Sequence, residues 1–264
     1  MFFWDNNKDT GILIQARSNS TRLPGKIFLP LTIQNTTKSV LEWIYFRLKM
    51  SKIDLIYFII PEDDEGLITF CKNKDLPFLK GPLEDVRERY IQTAKKLKLK
   101  YIIRVTSDNP FVEPLLVIPT LKNLIEKKLD LFSYIGFPLG VSIEAFTLDA
   151  LQKFKQEFNE TIHKEHVSLH IKKNPDKFKI EHSYYEDFVK YYQNKISRIL
   201  DQNLANFYRQ NLPRLTLDES LDYETIDLIY KELNLNFTIF DVMDLYFSKP
   251  DLFLKNLHVQ QKKF

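Results

Sequence analysis

The sequence predicts an α/β fold: a mainly parallel sheet covered by helices on both faces, followed by a helical tail. Short apolar runs of strand length lie near residues 12–14, 54–60, 101–105 and 130–135. Amphipathic segments separate consecutive runs, and strands joined through helices pair in parallel. Runs stop at Pro61, at Asp108-Asn109-Pro110 and at Gly136, as strands do where they meet loops.

After a loose lead-in over 1–10, Ile12 to Ile14 read as a buried strand. It empties into a loop of small and polar residues carrying Arg17, Arg22 and Lys26. Ser39-Val40-Leu41-Glu42 has the pattern of a capping box, with Val40, Leu41, Ile44 and Leu48 on one helical face. The strand over 54–60 ends in an acidic turn, 62–65. A short helix over 67–73 and a short strand at 78–79 follow. Val86, Tyr90, Ala94 and Leu97 give an amphipathic helix over 84–97.

The strand 101–105 leads to helix 114–128 and strand 130–135, with another short strand within 140–146. The second half is less regular. Residues 149–174 read as helical, 178–188 as paired strands, 214–217 as a short strand ending at Asp218, and 221–233 as a helix. Two short helical patterns broken at Pro250 fill 238–257. With no internal repeat and no low-complexity linker, 1–264 reads as one domain, its core over about 10–233 and its tail over 234–264.

Composition narrows the function classes. The chain has 264 residues, 44% hydrophobic and 28% charged, which suits a soluble globular protein. Its 38 basic and 35 acidic residues leave a net charge of +3, so bulk charge gives no case for nucleic-acid or membrane-surface binding. A single cysteine, Cys71, rules out an intrachain disulfide and points to a reducing compartment. No signal peptide and no transmembrane run is legible, so the cytoplasm is expected.

Open parallel sheets gather ligands at the carboxyl ends of their strands. Here those ends carry the loop with Arg17, Arg22 and Lys26, then Asp108, then Asp218. Cations and free backbone N–H groups at a strand end can cradle a polyphosphate. Two lone acids opposite them suit magnesium, which takes one or two carboxylates and leaves its other positions to water and phosphate. That combination implies transfer at a phosphorus atom of a nucleoside triphosphate. Each piece also has a structural reading. A basic loop is usually a solvated surface, Asp108 suits a turn or a cap, and Asp218 can cap helix 221–233. Spacing alone supports a phosphate-binding α/β protein.

The segment Gln15-Ala16-Arg17-Ser18-Asn19-Ser20-Thr21-Arg22-Leu23-Pro24-Gly25-Lys26 resembles the nucleotide-binding signature of the sugar cytidylyltransferases. That signature is shared by the CMP-ketodeoxyoctonate synthetases and the spore-coat-polysaccharide (SpsF) group. Gly81 with Glu84-Asp85-Val86 and Arg89-Tyr90, then Arg104-Val105-Thr106-Ser107-Asp108-Asn109-Pro110, resemble the SpsF group more closely. So do Glu165-His166-Val167, Arg214-Leu215-Thr216-Leu217-Asp218 and, in the tail, Phe240-Asp241-Val242 with Lys249-Pro250-Asp251-Leu252 and Asn256. The likeness runs in order from about residue 11 to residue 258.

The resemblance implies a Rossmann-like mixed sheet of the nucleotide-diphospho-sugar transferase type. It implies a Mg2+-dependent enzyme that moves CMP from CTP to a sugar or sugar acid and releases pyrophosphate. Ala16, Arg17, Ser20, Thr21 and Arg22 would hold the triphosphate, with Lys26 at the α-phosphate. Asp85, Arg89 and Ser107 would lie near the nucleotide. Asp108 and Asp218 would bind magnesium, making Arg22, Lys26 and Asp108 the catalytic set. Glu144, Glu165, His166 and Arg214 would face the sugar. A homodimer is plausible for such a family.

The chain departs from that pattern at several positions. Ser107 and Asn109 replace the usual Gly and Cys, Ser142 replaces an acid, and Glu219-Ser220-Leu221 replaces Thr-Pro-Glu. A nucleotide-sugar-dependent glycosyltransferase is another reading, against which no Asp-X-Asp pair ends a strand. A non-catalytic nucleotide-binding paralogue is the third. His163, His166 and His170 recur at helical spacing, but a solvated or acceptor-facing helix explains them better than zinc. The aromatic residues Tyr184, Tyr185, Phe188, Tyr191 and Tyr192 read as packing.

Overall fold

The run Thr10–Gln15 (β1) lies within a seven-stranded sheet, and its apolar residues are wholly buried because both faces are covered. Ile12 and Ile14 join the core on one face, and Leu13 joins the core on the other. The computed structural model describes residues 8–193 and 212–261. Most of the lead-in over 1–10, and residues 194–211, lie outside the described residues.

β4 (Ile56–Pro61) and β6 (Tyr101–Thr106) flank β1 in parallel, and β5 (Phe78–Gly81) extends the sheet beyond β4. On the far side β8 (Glu144–Thr147) runs antiparallel between β6 and β7 (Leu131–Ile135), and β9 (Ile180–Tyr184) closes that edge parallel to β7. The spatial order is β5-β4-β1-β6-β8-β7-β9. The chain therefore leaves β1 toward β4 and β5 and returns on its other side as β6. The carboxyl ends of β1 and β6 border the crevice where that order reverses, the position such sheets use for ligands.

The helices follow the sequence patterns in the first half. α1 (Val40–Lys49) begins with the capping box: Ser39 Oγ accepts from Glu42 N–H at 3.2 Å, and Glu42 Oε2 accepts from Ser39 N–H at 2.9 Å. α2 (Glu65–Asn73) and α3 (Val86–Leu97) are capped by Asp64 and Asp85. A 3₁₀ turn over Pro114–Leu116 feeds α4 (Val117–Glu126). Among the described residues no helix is long and apolar enough to cross a membrane.

Four features correct or extend the sequence reading. A separate hairpin, β2 (Pro30–Ile33) and β3 (Thr36–Ser39), turns through Gln34-Asn35, with the positive φ at Gln34 instead of the Asn. The helix expected over 149–174 is three short ones, α5 (Leu148–Gln152), α6 (Thr161–Glu165) and α7 (Leu169–Lys172). The left-handed backbone at Phe154 falls after the first. Of the pairing expected over 178–188 only β9 forms, and Tyr185–Gln193 is a helix, α8. Within α8, Tyr185 and Phe188 are buried and Tyr192 packs on Phe188, while Tyr184 is exposed. The side chain of Tyr191 lies outside the described residues.

Residues 214–217 join no sheet. They make an isolated bridge between Leu139 and Arg214, and Leu217 N–H donates to the Asp108 carbonyl at 2.8 Å. Gly140 makes this approach possible: its φ is +98°, and a Cβ there would stand 2.6 Å from the Leu215 carbonyl. Gly140→Ala is therefore expected to cost on the order of 1–3 kcal/mol. A thermal melt checks it, at about 2–4 °C per kcal/mol for a chain of this size. An unchanged Tm would contradict the packing described.

α9 (Ser220–Glu232) and α10 (Ile239–Ser248) follow, then a 3₁₀ turn over Pro250–Phe253, as the tail pattern indicated. Ile239, Phe240, Val242 and Met243 of α10 belong to the same apolar cluster as α1 and β1.

Candidate active site

The loop after β1 is held from below by α2. The Asp64 carboxylate accepts from Ser18 N–H and Ser18 Oγ, both at 2.8 Å, and from Leu67 N–H at 3.1 Å. One acid thus caps a helix and fixes the loop. Gly25 takes φ +68°, and its N–H returns to the Ser18 carbonyl at 3.2 Å, turning Lys26 back toward the crevice. Ala16 is buried against β4, its N–H on the Ile59 carbonyl. Ser20 is half-buried, and Thr21 and Arg17 are exposed.

Lys26 Nζ gathers the two acids. It lies 3.0 Å from Asp218 Oδ1 and 3.5 Å from Asp108 Oδ2, and it donates to the Leu217 carbonyl. Arg22 Nη2 reaches Asp218 Oδ1 at 2.7 Å, and Arg214 Nη2 takes Asp218 Oδ2 at 2.9 Å. Asp218 is therefore buried with three cations. Burial works to raise its carboxyl, but Lys26, Arg22 and Arg214 outweigh that and hold it below its ordinary value. Asp108 is half-exposed, with Lys26 beside it. Ser107 N–H pairs with the Gln15 carbonyl, setting the start of the turn that presents Asp108.

Behind this cluster Arg104 Nη1 meets Glu144 Oε1 at 2.7 Å, and Arg104 Nε donates to Gln15 Oε1 at 2.9 Å. Glu144 also accepts from Ser168 Oγ at 2.7 Å and pairs with Lys172. Burial opposes its ionisation, yet Lys172, Arg104 and Ser168 bring its pKa down to about 2. Both its oxygens are engaged, as are those of Asp218. Glu144 and Arg214 thus act as buried members of ion networks rather than open groups.

A cleft of about 490 Å³ adjoins the loop, lined among others by Arg17, Asp63, Glu84, Thr161 and Glu165. Arg17 and Glu165 face each other at 3.8 Å, both largely exposed. Asp85 spends its carboxylate on Glu88 N–H at 2.7 Å. Arg89 is buried against Gly81, with burial pulling its guanidinium down. His166 is half-buried beside Glu165, and burial lowers its pKa too. His170 departs from the expected solvated face: it is wholly buried, its Nε2 lies 3.2 Å from the Ala150 carbonyl, and its pKa falls to about 4, mainly through burial.

Sequence reading gave no site role to Asp64, Asp222 or Asn256. The acidic turn before an apolar helical pattern signals the Asp64 cap. Asp222 stands at the third position of α9, where an acid serves a capping box, and Asn256 belongs to the tail segment that resembles the SpsF group, but neither signal points to the site. Among the described residues no three His, Cys, Asp or Glu side chains converge as a metal cage. Asp108 and Asp218, reaching one ammonium, supply two hard oxygen donors. That set fits a magnesium ion whose other ligands are water and phosphate.

A family model described as cytidylyltransferase matches residues 11–235. An uncharacterized protein of Methanocaldococcus jannaschii is 28% identical over 256 residues, covering 96% of each chain. The spore coat polysaccharide biosynthesis protein SpsF of Bacillus subtilis is 27% identical over 232 residues, 85% of this chain and 87% of that one. The solved structure of a cytidylyltransferase from Leptospira borgpetersenii superposes with a TM-score of 0.75 at 26% identity, covering 97% of this chain and 99% of the other.

Proposed function

Since the chain belongs to the cytidylyltransferase family, we propose that it transfers CMP from CTP to a sugar or sugar acid destined for a surface polysaccharide. The observation that carries this reading is the convergence of Arg22, Lys26, Asp108 and Asp218 at the crevice between β1 and β6. The similarity to SpsF supports the polysaccharide assignment. A CTP-dependent reaction and a lone buried Cys71 suit the cytoplasm.

An acceptor oxygen attacks the α-phosphorus in line. The new P–O bond forms as the bond to the β-phosphate oxygen breaks, and pyrophosphate leaves with its electron pair. The hydroxyl proton passes to water or to a carboxylate on the acceptor side. Arg22 and Lys26 turn from Asp218 to the triphosphate, with Lys26 at the α-phosphate, where negative charge builds. Backbone N–H groups from Asn19 to Arg22, including Ser20 and Thr21, line the phosphates, with the Ala16 and Ser18 N–H groups fixing the loop to Ile59 and Asp64, and Arg17 closes over them. Asp85, Arg89 and Ser107 shape the nucleoside wall. A magnesium ion held by Asp108 and Asp218 would neutralise phosphate charge. Glu165 and His166 face the acceptor, while Glu144 anchors Arg104 and Arg214 braces Asp218.

A thermal-shift comparison of CTP, ATP, GTP and UTP, each with and without magnesium, tests the reading. A ligand at a hundredfold excess over Kd raises stability by about 2.7 kcal/mol. The expected result is a shift with CTP that magnesium enlarges. A shift with a nucleotide-sugar and with none of the triphosphates would overturn it.

A further inference from the structure

Asp218 is tied from two sides that share no residue. On the loop side, Arg22 and Lys26 hold Oδ1. On the other side, Arg214 Nη2 holds Oδ2, and the Asp222 carboxylate accepts from Asp218 N–H at 2.9 Å. Asp222 is completely buried and accepts further from Glu219 N–H at 3.0 Å and Arg214 Nε at 2.8 Å. It accepts from Arg214 Nη2 as well, at 3.2 Å, and a further donor comes from the tail. Asn256, 1% exposed, gives one amide hydrogen to Asp222 Oδ1 at 2.9 Å and the other to the Arg214 carbonyl at 3.0 Å. Farther along the tail, Gln261 Oε1 accepts from Arg214 Nη1 at 2.8 Å.

The two ties cannot serve equally during turnover. If a triphosphate draws Arg22 and Lys26 away, Asp218 loses its loop-side partners and keeps only Arg214 and Asp222. We infer that Asp222 and Asn256 are positioning residues. They hold Asp218 in place for magnesium while the loop cations serve the triphosphate, which makes the C-terminal tail part of the site. Asn256 suits the role because both its hydrogens are spent on the Arg214–Asp222 pair. Its own Oδ1 has no partner among the described residues, so general tail packing does not explain an amide here. The inference rests on the CTP- and magnesium-dependent reading above.

Asn256→Leu tests it, because leucine keeps the bulk, removes both donors and also removes the unpartnered oxygen. CTP binding is measured by calorimetry on the full chain, in EDTA and then across a magnesium titration. The expected result is CTP affinity in EDTA within about twofold of wild type, with the half-saturating magnesium concentration raised about tenfold. Tenfold is the lower end of what loss of a ligand-orienting contact typically costs. Magnesium dependence unchanged beside a lowered Tm would make Asn256 a merely structural residue and overturn the inference. If Asn256→Leu does not fold, Gln261→Ala, which removes an exposed acceptor on Arg214, must shift the magnesium dependence in the same direction by a smaller factor. No shift there overturns the inference as well. A wild-type chain that binds no CTP with magnesium overturns the functional reading and this one together, whereas a magnesium-responsive wild type with an unmoved variant overturns this one alone.

Discussion

Lys26→Ala is expected to slow CTP-dependent pyrophosphate release by about a hundredfold or more, the scale of losing one contact to charge that develops in the transition state. Among the described residues its ammonium is the one group that touches both Asp108 and Asp218. The substitution therefore has two separable effects. It removes the cation assigned to the α-phosphate, and it leaves two carboxylates without the charge that separates them. Less cation competition means magnesium affinity should hold or rise while the rate falls. Single-turnover pyrophosphate release, measured with CTP over a panel of sugars and keto-sugar acids, gives the rate, and a magnesium titration of binding gives the second quantity. A rate within a few-fold of wild type would remove Lys26 from the catalytic set. A parallel fall in magnesium affinity would instead make its role structural.

The second large effect concerns stability. Glu144→Ala should cost about 3 kcal/mol, because removing one partner of a buried ion pair strands the other. Arg104 would lose its carboxylate and Ser168 its acceptor, while half-exposed Lys172 would rehydrate at small cost. The pH dependence has a definite sign. The folded carboxyl titrates at about 2, against an ordinary value of 4.5, so its contribution is complete above about 4.5. The contribution declines as pH falls below that and is gone once pH passes below about 2. The Tm gap between wild type and Glu144→Gln should therefore be constant from pH 7 to about pH 5 and shrink below it. A gap that does not narrow by pH 3 would mean that the ion pair contributes nothing.

The network around Glu144 shows where sequence reading stops. Arg104 was legible as part of a strand-end motif and Glu144 as an acid in a short segment. Their pairing depends on β8 running antiparallel to β6, which places Arg104 opposite Glu144 in register. Side-chain alternation reads the same in either direction, so a four-residue strand does not declare which way it runs. The same holds for 214–217, where a strand-like pattern is held by loop carbonyls instead of a sheet. The region 149–174 kept its helical composition but broke into three pieces around backbone that turns left-handed at Phe154, a non-glycine residue that gives no warning.

By itself the sequence determined the alternation of strands and helices through β7 apart from the β2–β3 hairpin, the capping box at Ser39, the loop from Gln15 to Lys26 and the strand-end placement of Asp108. These are local properties: periodicity, caps and turn residues act over a few positions, and neighbours along the chain decide them. Tertiary structure alone decided which charge answers which. Lys26 finds Asp218 across 192 positions of sequence, Arg214 finds Asp222 and the tail, and Asn256 reaches back 34 residues to Asp222. Such pairs form because burial makes an unanswered charge costly, and the partner that answers it is whichever group the folded chain brings within reach.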